Sequence, residues 1–142
     1  MKYQLKIPIF LKFFNKCGGE GQFTKIVKDM DISPFGYNLE EGEEALIFYN
    51  PDDSDKAILI TNQRIIEKNH ITLFTDLYCV SGRMREEYKN GVRNKGEFTL
   101  LELEDYQHNK HVIKLEAGSP FWGIWNALLI AVNLNYLNRR NE

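Results

Sequence analysis

The middle of the chain, from Ala45 to Glu116, consists of short β-forming runs separated by turn formers, with no helical pattern between them. The separating segments are rich in Asn, Asp, Gly and Pro, which favour turns. Parallel strands need a long crossover connection, so strands that follow one another directly pair antiparallel. The sequence therefore predicts an antiparallel sheet of six or seven strands, from runs at 45–49, 57–61, 64–68, 70–80, 97–104 and 111–116.

The polar stretch Ser81–Gly96 interrupts these runs. Its Asn90-Gly91 pair is a strong signal for a tight hairpin turn, because both residues tolerate the left-handed backbone conformation that such turns need. We predict a polar, flexible hairpin in this stretch.

The C-terminal segment is predicted to be a helix over residues 119–138. Ser119 is a good N-cap, Pro120 suits the first helical position, and Arg139-Arg140 complement the dipole at the end. No charged residue lies between Ala117 and Asn138, but Asn126, Asn133 and Asn135 interrupt the apolar run. Because a membrane span needs about 20 predominantly apolar residues, a buried helix is favoured. Its predicted sheet-facing stripe contains Phe121, Trp125, Leu128, Val132 and Tyr136. Trp122, which lies beside this stripe, and Trp125 are predicted to be core anchors.

The first 38 residues have a helical pattern instead. Ile7, Phe10, Leu11 and Phe14 are spaced as one face of a helix, and a short leading strand before Ile7 is an alternative for the first residues. A second amphipathic helix is predicted from Phe23, Ile26, Val27 and Met30, ending before Pro34. The chain thus divides into a mostly helical N-terminal extension, residues 1–38, and a β-rich domain, residues 39–142.

Composition limits the class of protein. The 142 residues are 43% hydrophobic and 27% charged, as in a globular domain, and the net charge of −2 offers no support for nucleic-acid binding. The two cysteines are too few for a disulfide framework and fit a reducing compartment. Lys12 interrupts the apolar patch near the N-terminus, so no signal peptide is predicted. We expect a cytoplasmic protein, either free or peripheral to a membrane.

Two motifs resemble a known family. Gly42-Glu43 precedes the first strand of the β-rich domain, and Ile60-Thr61-Asn62-Gln63-Arg64 spans the next turn, where Thr61 and Asn62 suit hydrogen bonds to the turn backbone. Together with the run 71–77 and the passage from strand to helix at 111–128, these residues are similar to bacterial pleckstrin-homology-like (PH-like) domains, relatives of the GRAM domain. Ile60 stands where the family usually has Leu.

The resemblance covers residues 39–138 and implies a mainly β fold. That fold is a strongly bent, partly open antiparallel β-barrel of about seven strands, closed at one end by the C-terminal helix. The predicted runs and the final helix agree with it, because a bent sheet has an apolar interior that one helix can cover.

A cluster of basic residues in the polar stretch is a candidate ligand site. Phosphates of an anionic lipid headgroup are the ligands that it can contact. The alternative is a solvated hairpin compensated by its own acids, Glu86, Glu87 and Glu97. The candidate ligand-binding residues are Arg83, Arg85, Lys89, Arg93 and Lys95.

A second candidate is an interface on the C-terminal helix. Trp122, Leu129 and Ile130 lie outside its predicted sheet-facing stripe, and a large exposed apolar patch is rare on a soluble monomer. The cover is either the N-terminal helices or a second copy of the chain. From this we predict a homo-oligomer.

Catalytic and metal-binding patterns are weak. His108 and His111 fall in a predicted hairpin near Glu104 and Asp105, where solvated polar residues are the simpler interpretation. Cys79 and His70 have no orienting partner for nucleophilic catalysis, and no phosphate-binding Gly loop is present. We therefore expect no catalytic residue, no metal and no cofactor. The sequence favours a non-enzymatic binding module for a protein partner or for a second copy of the chain. The alternative is binding of an anionic lipid surface. The N-terminus, which contains basic and Phe residues, can also take part in lipid binding.

Overall fold

The computed structural model describes residues 3–28 and 30–140 of the chain. The elements in this part are named here in chain order. The helices are α1 (Ile7–Cys17), α2 (Met84–Lys89) and α3 (Ser119–Arg140). The strands are β1 (Thr24–Ile26), β2 (Ala45–Tyr49), β3 (Ile58–Thr61), β4 (Arg64–Ile66), β5 (Ile71–Leu73), β6 (Leu77–Gly82), β7 (Leu100–Asp105) and β8 (Lys110–Lys114).

The strands form two antiparallel sheets. One has the order β1-β2-β3-β4-β5 and the other the order β6-β7-β8. Within each sheet consecutive strands pair, as in the β3–β4 hairpin, where Leu59 lies opposite Ile66 and Ile60 opposite Ile65. The predicted antiparallel strands and C-terminal helix are confirmed, and the fold class is α+β.

The run at 70–80 is divided between the two sheets, so the prediction of a single strand was wrong. A 3₁₀ turn at Phe74–Asp76 separates β5 from β6. Phe74 is buried, and its carbonyl and that of Leu77 both accept hydrogen bonds from the side-chain amide of Asn135 on α3. A contact with the C-terminal helix therefore holds the corner at which the chain changes sheets.

The N-terminal region contains one of its two predicted helices. α1 is present, but the prediction of a second helix from Phe23 was wrong, because Thr24–Ile26 forms β1 and pairs with β2. The carboxylate of Glu116 accepts hydrogen bonds from the backbone amides of Gln22 and Phe23, at 2.8 and 3.0 Å, and from the hydroxyl of Thr24 at 2.8 Å. These distant contacts hold the segment extended. Asp29, within the predicted helix, lies outside the described residues.

The polar stretch before β7 contains a short helix, α2, so the predicted hairpin was wrong. Asn90 is the C-cap of α2, and Gly91 takes a left-handed conformation with φ of 100° after it. The turn signal therefore marks the end of a helix. The buried carboxylate of Glu87 accepts from the backbone amide and hydroxyl of Thr99, at 2.8 and 3.0 Å, which fixes α2 against the start of β7.

Helix α3 is apolar on most of its surface because it is covered from two sides. The sheets cover one side, and α1 packs on another with Phe10 and Phe14 fully buried. The two helices approach closely at Gly123, where an added Cβ would lie 2.6 Å from the carbonyl oxygen of Phe14.

The sheet-facing stripe of α3 differs in part from the predicted one. Phe121 and Leu128 are buried as expected, but Tyr136 is 61% exposed and Asn135 is buried next to it. Trp122 and Trp125 were predicted to be core anchors, and both are half-buried, with their rings stacked at 5.5 Å. The fully buried aromatic residue at this end of α3 is Phe121.

Candidate functional site

The β3–β4 hairpin is organised by the hydroxyl of Thr61. The oxygen accepts hydrogen bonds from the backbone amides of Gln63 and Arg64, both at 3.0 Å, and the hydroxyl donates to the Glu43 carboxylate at 2.6 Å. The predicted role of Thr61 in the turn is thus confirmed. Asn62 acts differently, because its side chain accepts from the backbone amide of Glu44 and donates to the carbonyl of Gly42.

A buried ion pair joins the two halves of the motif. The guanidinium of Arg64 donates to both carboxylate oxygens of Glu43, at 2.8 and 3.0 Å, and the Glu43 side chain is 0% exposed. Burial by itself raises the pKa of Glu43, but the hydrogen bonds from Arg64 and Thr61 outweigh it and hold the pKa below its ordinary value. The motif residues therefore have a structural role: they hold the segment before β2 against the hairpin.

A groove of about 650 Å³ lies beside this hairpin. Its walls come from the N-terminal segment, the hairpin, the C-terminal half of α3 and the corner between β5 and β6, called the β5 corner below. Apolar and amide side chains dominate the walls, and Glu40 is the one charged residue among the lining residues. These are Tyr3, Gln4, Leu5, Glu40, Gly42, Asn62, Gln63, Leu73, Phe74, Thr75, Ala131, Leu134, Asn135 and Asn138.

Amide side chains of α3 position two walls of the groove. The Asn138 side chain accepts from the backbone amide of Tyr3 at 2.6 Å and donates to its carbonyl at 3.0 Å, which fastens the N-terminal segment. Asn135 holds the β5 corner through its bonds to Phe74 and Leu77. Tyr3 and Leu73 are more than one-third exposed, so the groove presents apolar surface to solvent.

This groove was not predicted from the sequence. Its available signal was the placement of Asn residues in an otherwise apolar helix, which also argues against a membrane span. The buried amide of Asn135 is conspicuous because buried polar groups need hydrogen-bond partners. The partners of the Asn residues, Tyr3 and the β5 corner, are distant in the chain, so the sequence did not reveal them.

The structure brings together three of the five candidate basic residues. Arg83, Arg85 and Lys89 line a cleft of about 520 Å³ together with Glu86 and Glu102. The Arg83 guanidinium donates to Glu86 and, at 2.8 Å, to Glu102. These hydrogen bonds raise the pKa of Arg83, and the bond to Glu86 contributes more than the bond to Glu102. Much of the charge of Arg83 is therefore compensated within the protein.

The other two basic residues do not line this cleft. The Arg93 guanidinium donates to the carbonyls of Tyr88 and Val92, next to the end of α2. The backbone carbonyl of Lys95 accepts from the indole of Trp122 at 3.0 Å, while its side chain is exposed. The five side chains therefore do not all line one cleft.

The predicted interface residues on α3 are largely covered within the monomer. Trp122, Leu129 and Ile130 are all half-buried and pack against the main core. The indole of Trp122 also lies edge-on against Phe98, at 6.1 Å between ring centroids. The exposed part of each side chain is the surface that a partner can contact.

The structure separates the two histidines of the 108–111 pair. His108 is hydrogen-bonded to Glu104 at 2.8 Å and lies edge-on to Tyr78. His111 is hydrogen-bonded to Glu67 at 2.7 Å, and its ring stacks on that of His70. His111 thus has both partners in the turn between β4 and β5, a contact that was not predicted from the sequence.

No protein-family model matches the chain, and neither a curated protein nor a solved structure matches it. Among residues 3–28 and 30–140, no helix has both the length and the apolar character needed to cross a bilayer.

Proposed function

We propose that this protein is a non-enzymatic binding module that holds an uncharged peptide segment of a partner protein in the groove beside the β3–β4 hairpin. The observation that carries the proposal is the groove itself. Its volume of about 650 Å³ lies within the range of roughly 300–1,000 Å³ typical of ligand sites. Its walls offer apolar contacts and amides, which suit a peptide backbone with uncharged side chains.

The charge distribution favours a protein segment over an anionic lipid. Glu40 is the charged residue of the groove lining, and the Arg83 charge at the α2 cleft is paired with Glu86 and Glu102. An anionic surface attracts clusters of uncompensated bases. Arg85 and Lys89 are exposed and form no salt bridge with any described residue. Among the bases of this cleft, these two residues are the ones that support the lipid alternative.

We infer further that residues 39–138 form a bacterial PH-like domain, a bent and partly open barrel in the cytoplasm. Strands β2–β8 number seven, run antiparallel to their neighbours and are followed by α3, in agreement with the expected order. The motif residues Glu43, Thr61 and Arg64 contact one another. Both cysteines, Cys17 and Cys79, are free thiols, which suits a reducing compartment.

Selection of binding peptides from a random display library tests the proposal. Peptides selected on the full chain are measured by fluorescence polarisation against the wild type and against Leu73→Lys, a charge placed in the groove. We expect uncharged peptides, and an affinity loss of at least about tenfold in the variant, equivalent to 1.4 kcal/mol.

Ile71→Lys is the matched control, since Ile71 lies on the same strand with similar exposure, 50% against 45% for Leu73, and does not line the groove. It should bind the peptides as the wild type does. Peptides that bind both variants equally well would refute the groove as the site.

Two further measurements decide between the partners. The first measurement is sedimentation with anionic vesicles. If the protein sediments with them, and if this is lost in high salt and in the double variant Arg85→Glu/Lys89→Glu, the lipid alternative is correct instead.

Self-association remains a prediction, and light scattering tests it. A dimer disrupted by Leu73→Lys would make the second copy the source of the peptide segment. A dimer disrupted by Ile130→Lys alone would assign the contact to the exposed edge of α3.

A further inference from the structure

Three side chains with metal-binding atoms converge where the two sheets meet. Glu67 and His70 lie at the two ends of the β4–β5 turn, which is closed by a hydrogen bond from the Glu67 amide to the His70 carbonyl at 2.9 Å. His111 belongs to β8 in the other sheet. One ligand atom from each of the three residues lies within 4.8 Å of the other two.

The distances are close to those that one ion requires. The Nε2 atom of His111 and the Oε2 atom of Glu67 are 2.7 Å apart. Ligand atoms around a tetrahedral zinc ion are about 3.4 Å apart, given metal–ligand distances of about 2.0–2.1 Å. A bound ion would therefore replace the hydrogen bond between His111 and Glu67, with these two side chains moving slightly apart.

One ring must turn for both imidazoles to bind the same ion. The rings of His70 and His111 stack at 3.7 Å with an angle of 22° between their planes. The metal-binding lone pair of an imidazole lies in the plane of its ring, so nearly parallel rings cannot both point at an ion between them. His70 is exposed at the end of a turn and is able to rotate, whereas His111 is half-buried and held by Glu67.

The surroundings suit a cation with a water ligand. The cleft next to the cluster has a volume of about 210 Å³. Its lining includes three acids, Asp76, Glu104 and Asp105, against the single lysine Lys110, as well as Thr72. The Thr72 hydroxyl oxygen is buried and has no hydrogen-bond partner among the described residues. Buried polar atoms without partners are uncommon. A water molecule on the ion would supply the missing hydrogen bond.

The ligand set indicates which metal would bind. Two imidazoles and one carboxylate, with a fourth position for water, bind zinc and also ferrous iron, whereas Mg²⁺ and Ca²⁺ prefer oxygen ligands only. We propose that Glu67, His70 and His111 form a Zn²⁺ site that links the β4–β5 hairpin to β8. The site shares no lining residue with the peptide groove and does not depend on peptide binding there.

Zinc titration of the full chain at about pH 7.5 tests the site. Isothermal titration calorimetry should show one ion per chain. His70→Ala, His111→Ala and Glu67→Gln should each weaken binding by at least about 10–100-fold, the loss caused even by removing partners outside the ligand shell. His108→Ala is the matched control, because His108 is hydrogen-bonded to Glu104 and lies outside the cluster, and it should bind like the wild type.

A second measurement separates loss of a ligand from loss of the fold. Zinc should raise the thermal unfolding temperature of the wild type and of His108→Ala, because an ion that binds only the folded state stabilises it. Each of the three ligand variants should show no such rise above its own metal-free unfolding temperature. Circular dichroism without metal confirms that each variant is folded.

Three results would overturn the site. The first is the absence of saturable binding to the wild type. The second is equal affinity in His70→Ala and the wild type. The third is loss of binding in Cys17→Ser, which would place the ion on the exposed thiol instead.

Discussion

Replacement of Arg64 by Met tests whether the buried ion pair holds the hairpin and the segment before β2 together. The Arg64 guanidinium donates to both oxygens of Glu43, at 2.8 and 3.0 Å, and to the carbonyl of Asn38 at 3.0 Å. Met fills a similar length without any donor. The variant therefore removes all of these bonds while it keeps much of the side-chain volume.

The magnitude follows from burial. The side chains are 0% exposed for Glu43 and 14% for Arg64, so water cannot replace the lost cation. Removal of one partner from a buried pair costs about 3–5 kcal/mol, out of a total stability of about 5–15 kcal/mol for a domain. Urea denaturation followed by tryptophan fluorescence should show a midpoint lowered by at least about 1 M, given slopes of about 1–3 kcal/mol per M.

Lys68→Met is the matched control, since the Lys68–Asp55 pair has a similar distance of 2.7 Å but side chains that are 56% and 65% exposed. Exposed pairs contribute about 0–1 kcal/mol. A loss of stability in Arg64→Met no larger than in Lys68→Met would refute the reasoning. Glu43→Gln/Arg64→Met should recover part of the loss, because the double variant leaves no unpaired buried charge.

The destabilisation should also depend on pH. Burial opposes the charged form of Glu43, but the hydrogen bonds from Arg64 and Thr61 keep its pKa in the folded protein below the ordinary value. The stability that this group contributes is therefore present above its unfolded pKa of about 4.3 and is lost as the pH falls through the lower folded value. Arg64→Met removes the hydrogen bonds and the charge of Arg64, so the pKa of Glu43 is higher in the variant than in the wild type. The difference in unfolding free energy between wild type and variant should be largest near neutral pH and smaller near about pH 4. A difference that is constant over this range would contradict the assignment.

Four more substitutions test the packing of α3. Gly123→Ala should lower the melting temperature although Ala favours helix by about 1 kcal/mol, since its Cβ would lie 2.6 Å from the carbonyl oxygen of Phe14; a higher melting temperature would contradict the close approach of α1. Phe121→Ala should lower the free energy of unfolding by about 3–5 kcal/mol in chemical denaturation. Trp125→Ala should lower it by less, because Trp125 is half-buried whereas Phe121 is fully buried. A larger loss in Trp125→Ala would make Trp125 the core anchor. Asn135→Ala should cost about 1–3 kcal/mol by leaving carbonyls at the β5 corner without their donor; an unchanged denaturation midpoint would show that the corner is held by other contacts.

Several elements could be predicted because their causes are local. The β3–β4 hairpin depends on Thr61 and the residues two and three positions later, whose amides its hydroxyl binds. Helix α3 begins at Ser119-Pro120, a start signal contained in the sequence itself. Helix α1 follows from the spacing of Phe10 and Phe14, which are indeed buried.

The wrong predictions share one cause, which is a partner far away in the chain. Phe23 to Ile26 has a helical spacing, yet the segment is extended because Glu116, more than ninety residues away, holds its backbone. The run 70–80 is rich in β-formers, yet it divides at a corner held by Asn135. The stretch before β7 is polar on average, yet α2 forms with Glu87 buried against Thr99.

Both candidate sites exist only in the folded chain. The groove needs Tyr3 at one end of the sequence and Asn138 at the other, and the proposed zinc site needs His111 next to Glu67. Periodicity and turn chemistry act over a few residues, so the sequence by itself determined the local elements and their antiparallel order. The meeting of distant side chains depends on how two sheets and two helices pack around one core, and only the tertiary structure decided it.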